Sequence, residues 1–410
     1  MEAGLSELSR DWMLDDIRKR FSLGEPRQLD PRTIGAELEL IPLGAGLPVP
    51  IESHTSTSSL DILRRLAVTE KWSETAHGSD PPSWTLPGGS RISFEPGGQI
   101  ELSSAPHDTA SALIAELTGT CSVLADAFER HGITLETKGV DPFNAISAVP
   151  LQLHRRRYES MTRYFESIGP SGIRMMRQTA SVQVNVQPGD DPLSRWHLLN
   201  RLAPILVATF ANSPRYERAD TGHRSYRAHL WRTLDQSRTG FICTDDPIGS
   251  YCDFALDAGS MLRTSDDGSY QPFRQSMDDT TTKEDWDVHL STLFPEIRPK
   301  GFFEVRSPDV IESRWLAAPI AIVAGLCYDA AVSQAAAEIV AQCDHDMLIR
   351  AGQLGVHDST IGKLTKELCE LAVRGCESLG RDYLSDDDLD TVTDFVDRYP
   401  ANGRSPADDS

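Results

Sequence analysis

"EPGGQIEL", residues 95–102, joins two runs that alternate apolar and polar side chains and sets Glu95 and Glu101 on either side of a Pro-Gly-Gly turn. Ile92 and Phe94 supply the apolar positions before the turn, Ile100 and Leu102 those after it. Period-two alternation on both sides of paired glycines reads as a β-hairpin. A two-residue turn at Gly97-Gly98 would put the two carboxylates on opposite faces, whereas a three-residue Pro96-Gly97-Gly98 loop would align them. Both registers are open at this level.

Three other stretches repeat the pattern. In "TIGAELELIPL", residues 33–43, the apolar Ile34, Ala36, Leu38 and Leu40 alternate with Gly35, Glu37 and Glu39. Residues two apart in a strand share a side, so Glu37 and Glu39 project together, about 7 Å apart. Such a pair repels unless a cation or water stands between. In "MMRQTASVQVNVQ", Val182, Val184 and Val186 alternate with Gln183, Asn185 and Gln187. "KGFFEVRSPD", residues 300–309, reads as the last strand, with Glu304 and Arg306 on one side.

Between these strands, residues 58–70, 109–131, 154–167 and 192–213 carry apolar residues at helical spacing. From about Glu312 the chain reads as helical, and "NGRSPADDS" reads as a frayed tail. Strands and helices follow no regular βαβ rhythm, which predicts an α+β fold around a mainly antiparallel sheet.

The chain has 410 residues and a formal net charge of −21, which opposes a nucleic-acid surface because phosphate neutralisation needs clustered Lys and Arg. No uninterrupted apolar run of bilayer length is present, so no membrane span is expected. The N-terminal stretch "MEAGLSELSRDWMLDDIRKRF" lacks the basic start and apolar centre of a secretory signal, which points to the cytoplasm. Seven cysteines without a C-x-x-C pair oppose a disulfide framework or zinc knuckle. Cys121, Cys327, Cys343 and Cys369 read as small core residues. No P-loop, dinucleotide fingerprint or G-x-S-x-G elbow occurs, and His223, His229 and His289 read as structural.

Hard oxygen ligands on several strands of one sheet are what Mg²⁺ needs when it also holds phosphates. Glu37, Glu39, Glu95, Glu101 and Glu304 are therefore the candidate metal ligands, with Arg306 as a fork for phosphate oxygens. In "YRAHLWRTLDQSRTGF", Arg227, Trp231, Asp235 and Arg238 fall on one stripe of a continuous helix. That stripe is either a surface face with Arg–Asp pairs or a cationic strip for a nucleotide tail or an amino-acid carboxylate. The amides Gln183 and Asn185 could orient a substrate or ligate metal through oxygen.

Taken in order, "IGAELEL", "RISFEPGGQIELSSAPH", "MMRQTASVQVNV", "YRAHLWRTLDQSRTGF" and "HLSTLFPEIRPKGFFEVRSPD" resemble the glutamate–cysteine ligases of the plant and proteobacterial type, including those of ergothioneine synthesis. The resemblance covers roughly residues 30–330. It implies a glutamine synthetase-like fold: a curved antiparallel sheet forming a carboxylate-lined funnel with helices outside. Residues 1–330 would then be the catalytic domain, 331–400 a helical part packed on it and 401–410 the tail.

The activity implied is ATP-dependent ligation of the glutamate γ-carboxyl to the cysteine amine through an acyl phosphate, with Mg²⁺ or Mn²⁺ as cofactor. By position in the motifs, Glu37, Glu304 and Arg306 would carry the chemistry, and Arg227, Arg238 and Arg306 would face nucleotide phosphate or glutamate. Gln183, Asn185, Arg177 and Trp231 would bind substrate. The implied partners are the small molecules glutamate, cysteine and ATP, with the chain a monomer or homodimer. A ligase with another amine acceptor, or a non-catalytic ATP- and metal-binding relative, would share the same motifs. "QTASVQVN" departs from the plant pattern at Ala180, nothing in the motifs carries over the plant enzymes' disulfide regulation, and no motif identifies the cysteine-recognition residues.

Overall fold

The computed structural model describes residues 8–23, 29–78, 80–240, 243–265 and 267–410. Residues 1–7 of the stretch read for a secretory signal and Phe241 of the quoted motifs lie outside them.

In chain order the strands are β1 (Ile34–Gly44), β2 (Leu47–Pro48), β3 (Ser73–His77), β4 (Asp80–Thr85), β5 (Arg91–Phe94), β6 (Ile100–Ser103), β7 (Ile133–Glu136), β8 (Val182–Val186), β9 (Arg215–Tyr216), β10 (Ala219–Asp220), β11 (Ile297–Pro299) and β12 (Phe303–Val305). Ten of them form one sheet in the order β11-β12-β8-β1-β6-β5-β4-β3, with β2 and β7 paired to the far end of β1. Every pairing is antiparallel, as the sequence predicts.

The two faces of this sheet differ as the alternation dictates. Ala36, Leu38, Leu40, Ile92, Phe94, Ile100, Leu102, Val182, Val184 and Val186 are all buried on one side. Helix Ala110–Glu129 packs on β1 and β7, and helix Ala317–Tyr328 on β8. By length and composition Ala110–Glu129 could cross a bilayer. Its Leu113, Leu117, Cys121, Leu124 and Phe128, spaced as one helical stripe, instead face the protein core.

Strands β3 and β4 form a hairpin at the end of the sheet. Pro81 and Pro82 sit beside a bulge in the β3–β4 ladder, between the pairs Thr75–Ser83 and His77–Asp80, where missing N–H groups are tolerated.

Two expectations are corrected. The tail is packed rather than frayed: Ala407 is buried, Pro406–Asp409 form a 3₁₀ turn, and Asp409 accepts from Arg398 and Tyr399, both at 2.9 Å. The acidic residues of the tail thus neutralise arginines elsewhere in the chain. The arginine stripe is also not one helix. Helix Tyr226–Leu234 ends at Asp235, whose φ of −175° is extended, and Gln236–Arg238 form a separate 3₁₀ turn capped by the Asp235 side chain.

Candidate active site

The hairpin register decides whether the acids meet. Ser93 stands opposite Glu101, and Glu95 N–H donates to the Gln99 carbonyl at 2.8 Å. The loop is therefore Pro96-Gly97-Gly98, and Glu95 lies on the same side as Ser93 and Glu101. Both glycines are required: a Cβ on Gly97 would collide with the carbonyl of Arg177, and Gly98 has φ +94°. Buried Gln99 and half-buried Gln152 bind the loop in place, Gln99 Nε2 donating to Thr179 O at 2.9 Å and Gln152 Nε2 to Gly97 O at 2.8 Å.

The remaining pairs extend the same face. Glu39 stands opposite Glu101, Glu37 opposite Gln183, and Glu304 opposite both Asn185 and Arg298. Glu37, Glu39, Glu95, Glu101 and Glu304 all line one cavity of about 300 Å³, together with Arg157, Arg298, Lys300 and Arg306. Its apolar wall comes from Tyr158, Met161, Met175, Met176, Trp231 and Phe294, carried on the helices that cover this face and the loop before β11.

Two electrostatic environments share the cavity. Glu304 is wholly buried, which pushes its carboxyl up, but Arg298, Arg306 and Lys300 outweigh burial and bring it down to about 2. Its Oε2 lies 3.3 Å from Arg298 Nη1 and 3.2 Å from Arg306 Nη1, and its Oε1 2.8 Å from Lys300 Nζ. For Glu37, Glu39 and Glu95, burial and the neighbouring carboxylates outweigh the nearby cations. Burial and then the carboxylates of Glu304 and Glu101 push Glu37 up to about 8; burial and Glu101 push Glu39 up to about 7. Glu95 is raised well above the carboxylate range by burial, Glu101 and Glu39.

Short hydroxyl and amide contacts hold these acids in place. Ser181 Oγ donates to Glu39 Oε2 at 2.9 Å, Gln183 Nε2 to Glu39 Oε1 at 3.4 Å, and Ser103 Oγ to Glu101 Oε1 at 3.0 Å. Among the described residues, no three His, Cys, Asp or Glu side chains converge as a ready-made cage for a metal ion. The guanidinium Nε atoms of Arg157, Arg298 and Arg306 are buried without a hydrogen-bond partner. Buried donors of this kind call for an acceptor.

Of the residues singled out from sequence, the five glutamates, Arg306, Gln183 and Trp231 line the cavity. Arg227, Arg238, Asn185 and Arg177 do not. Arg238 is wholly buried and committed to Asp235 Oδ2 at 2.8 Å, the Thr292 carbonyl at 3.1 Å and the Gly259 carbonyl, with its guanidinium over the Tyr164 ring. Arg227 is buried behind the wall, stacked on Trp231 with 4.4 Å from Cζ to the ring centroid. Arg177 donates to Thr162 Oγ1 at 3.4 Å, and Asn185, though on the polar face, leaves its buried Oδ1 without a partner.

Sequence reading missed Arg298, Lys300, Arg157 and Gln99. The signal for the first two was present: "RPKGFFE" is a tight hairpin, and folding it about Gly301, where φ is +81°, puts Arg298 opposite Glu304. Arg157 stood in a basic helix with no partner motif to give it a role.

A carboxylate-lined antiparallel sheet face with arginines and a lysine in the same cavity suits an enzyme that takes anionic substrates. The model of Glutamate-cysteine ligase family 2 matches residues 33–407, and the chain belongs to that family. The chain is 32% identical over 346 residues to the glutamate–cysteine ligase EgtA of Mycolicibacterium smegmatis, covering 79% of this chain and 78% of the relative. It is also 32% identical to the chloroplastic glutamate–cysteine ligase A of Oryza sativa subsp. indica, covering 78% and 70%. Among solved structures, the glutamate–cysteine ligase of Francisella tularensis in complex with AMP shares the fold, with TM-score 0.54 and 12% identity over 92% of this chain and 83% of that one.

Proposed function

We propose that the protein joins the γ-carboxyl of glutamate to the amino group of cysteine, using ATP and forming γ-glutamylcysteine, ADP and phosphate. Family membership and the two ligases at 32% identity support this activity over one with another acceptor or none. The observation that carries it is the single sheet face on which five glutamates from three separate stretches meet four arginines, Arg91, Arg157, Arg298 and Arg306, inside one cavity.

The donor set suits Mg²⁺ or Mn²⁺. It offers only oxygen, in facing pairs such as Glu39 and Glu101, and Mg²⁺ takes one or two carboxylates plus substrate phosphates rather than a full protein cage. Glu37, Glu39, Glu95, Glu101 and Glu304 would hold the cations. Bound there, they supply charge neutralisation and orientation of the phosphate oxygens.

Arg306 and Arg298, both lining the cavity, would meet the transferring phosphoryl group. The glutamate γ-carboxylate attacks the γ-phosphorus of ATP, the bond to the β-phosphate oxygen breaks, and ADP leaves. The cysteine amine then attacks the acyl carbon of γ-glutamyl phosphate, and phosphate departs with the bonding pair and the proton that the amine sheds. Guanidiniums held by Glu304 stabilise charge without reorganising at the moment of reaction. The wall of Tyr158, Met161, Met175, Met176, Trp231 and Phe294 keeps water from the acyl phosphate, and Gln183 orients the amino acid.

The cysteines are free, and six of the seven are buried, which fits the reducing, ATP-rich cytoplasm. The test is phosphate release by the purified chain with ATP and Mg²⁺. Release should require glutamate and cysteine together, and release indifferent to the amino acids would count against the reading.

A further inference from the structure

Lys300 occupies an unusual position among the acids. It sits on the turn between β11 and β12, and that turn is pinned from outside: Gly301 N–H donates to Arg20 O at 2.8 Å, and Ser22 Oγ donates to Gly301 O at 2.6 Å. From this fixed base the Lys300 side chain reaches back over the sheet. Its Nζ lies 2.8 Å from Glu304 Oε1 and 3.6 Å from Glu37 Oε1. The ammonium thus bridges two of the five acids.

The two bridged acids need it unequally. Glu304 already has Arg298 and Arg306 on its other oxygen. For Glu37, Lys300 is the one cation within 4.0 Å among the described residues. The Lys300 side chain is also 37% exposed, against 17% for Arg298 and 10% for Arg306. A lysine offers a mobile point charge on a flexible stem, and an arginine a planar fork that stays with its carboxylate.

We infer that Lys300 is a tethered counter-ion, held between Glu37 and Glu304 until a divalent cation using those oxygens displaces it into solvent. The inference rests on the proposed role of Glu37 and Glu304 as cation ligands. Two cations cannot share the gap between these carboxylates without strong repulsion, because like charges a few ångströms apart in a partly buried site interact at low effective dielectric. Lys300 therefore competes with the metal and sets its affinity. Its displacement leaves a free ammonium at the cavity mouth beside the incoming anionic substrate.

The test is equilibrium binding of Mn²⁺ to the full chain, read from the electron paramagnetic resonance signal of free Mn²⁺, for the native protein, Lys300→Met and Lys300→Gln. Removing the charge should tighten Mn²⁺ binding about tenfold, or about 1.4 kcal/mol. Unchanged or weaker binding in a folded variant overturns the counter-ion role while the metal site stands. If the native chain binds no Mn²⁺ and Glu37→Gln makes no difference, the metal reading itself fails. A measurement on the native chain guards against misfolded variants: acylation of Lys300 followed by mass spectrometry should rise severalfold on adding Mg²⁺ alone. Labelling that stays level or falls overturns the inference.

Discussion

Arg227 Nη2 donates to the carbonyl oxygen of Arg306 at 2.8 Å, and its Nη1 to the Ser307 carbonyl at 3.3 Å. An arginine that sequence offered as a phosphate ligand thus fixes the backbone of the arginine that does face the cavity. Asp309, buried with Ser213 and Ser225 donating to it, lies 3.6 Å from Arg227 and holds it in turn.

Loss of this grip should be felt first as stability. Arg227→Met leaves Asp309 buried without its cation, a change that typically costs about 3–5 kcal/mol. Urea unfolding should show that loss together with reduced activity. Unchanged stability with activity alone lost would make Arg227 a substrate ligand after all.

Within the cavity, Glu37→Gln should remove turnover while leaving thermal stability close to native, because the amide keeps the side chain's shape on a preformed face and takes away only the carboxylate that a cation would bind. Unfolding of Glu37→Gln, with full activity per folded molecule, would make Glu37 structural. Arg306→Lys should lower kcat about 10²–10³-fold, the usual loss of one aligned donor to a developing charge. Activity within a few-fold of native would show that the fork is not used.

The hairpin gives a purely steric prediction. Gly97→Ala has no room against the Arg177 backbone, so it should destabilise the chain by about 1–3 kcal/mol and misalign Glu95 with Glu101. A thermal melt and an activity assay on the same sample check both. A native melt would mean that the loop can move away at little cost.

Buried His289 makes a pH prediction away from the site. Burial pushes it down to about 3, its Nε2 lying 2.7 Å from Ala255 O. Between that value and the ordinary histidine range near 6.5, the unfolded chain binds a proton that the folded chain does not. Stability should therefore fall as pH drops below about 6.5. His289→Gln should flatten that slope in unfolding measured from pH 7 to pH 4, and an unchanged slope would assign it to other groups.

The face of each long strand was legible because period-two alternation in 33–43 and 182–186 needs no tertiary information. The hairpin register was not, since it depends on which backbone approaches Gly97, and that backbone lies 80 residues on, at Arg177. Arg238 was misplaced because helical spacing was carried through Asp235, where the side chain caps a new turn and the helix stops. Arg298 and Lys300 escaped notice because β11 is only three residues long, too short for alternation to register.

The most direct test follows an oxygen atom. With glutamate labelled with ¹⁸O in its γ-carboxyl, turnover with ATP, Mg²⁺ and cysteine should give γ-glutamylcysteine and phosphate in equal amounts, each phosphate carrying one ¹⁸O. Unlabelled phosphate, or product without matching phosphate, would contradict activation of that carboxylate on this sheet.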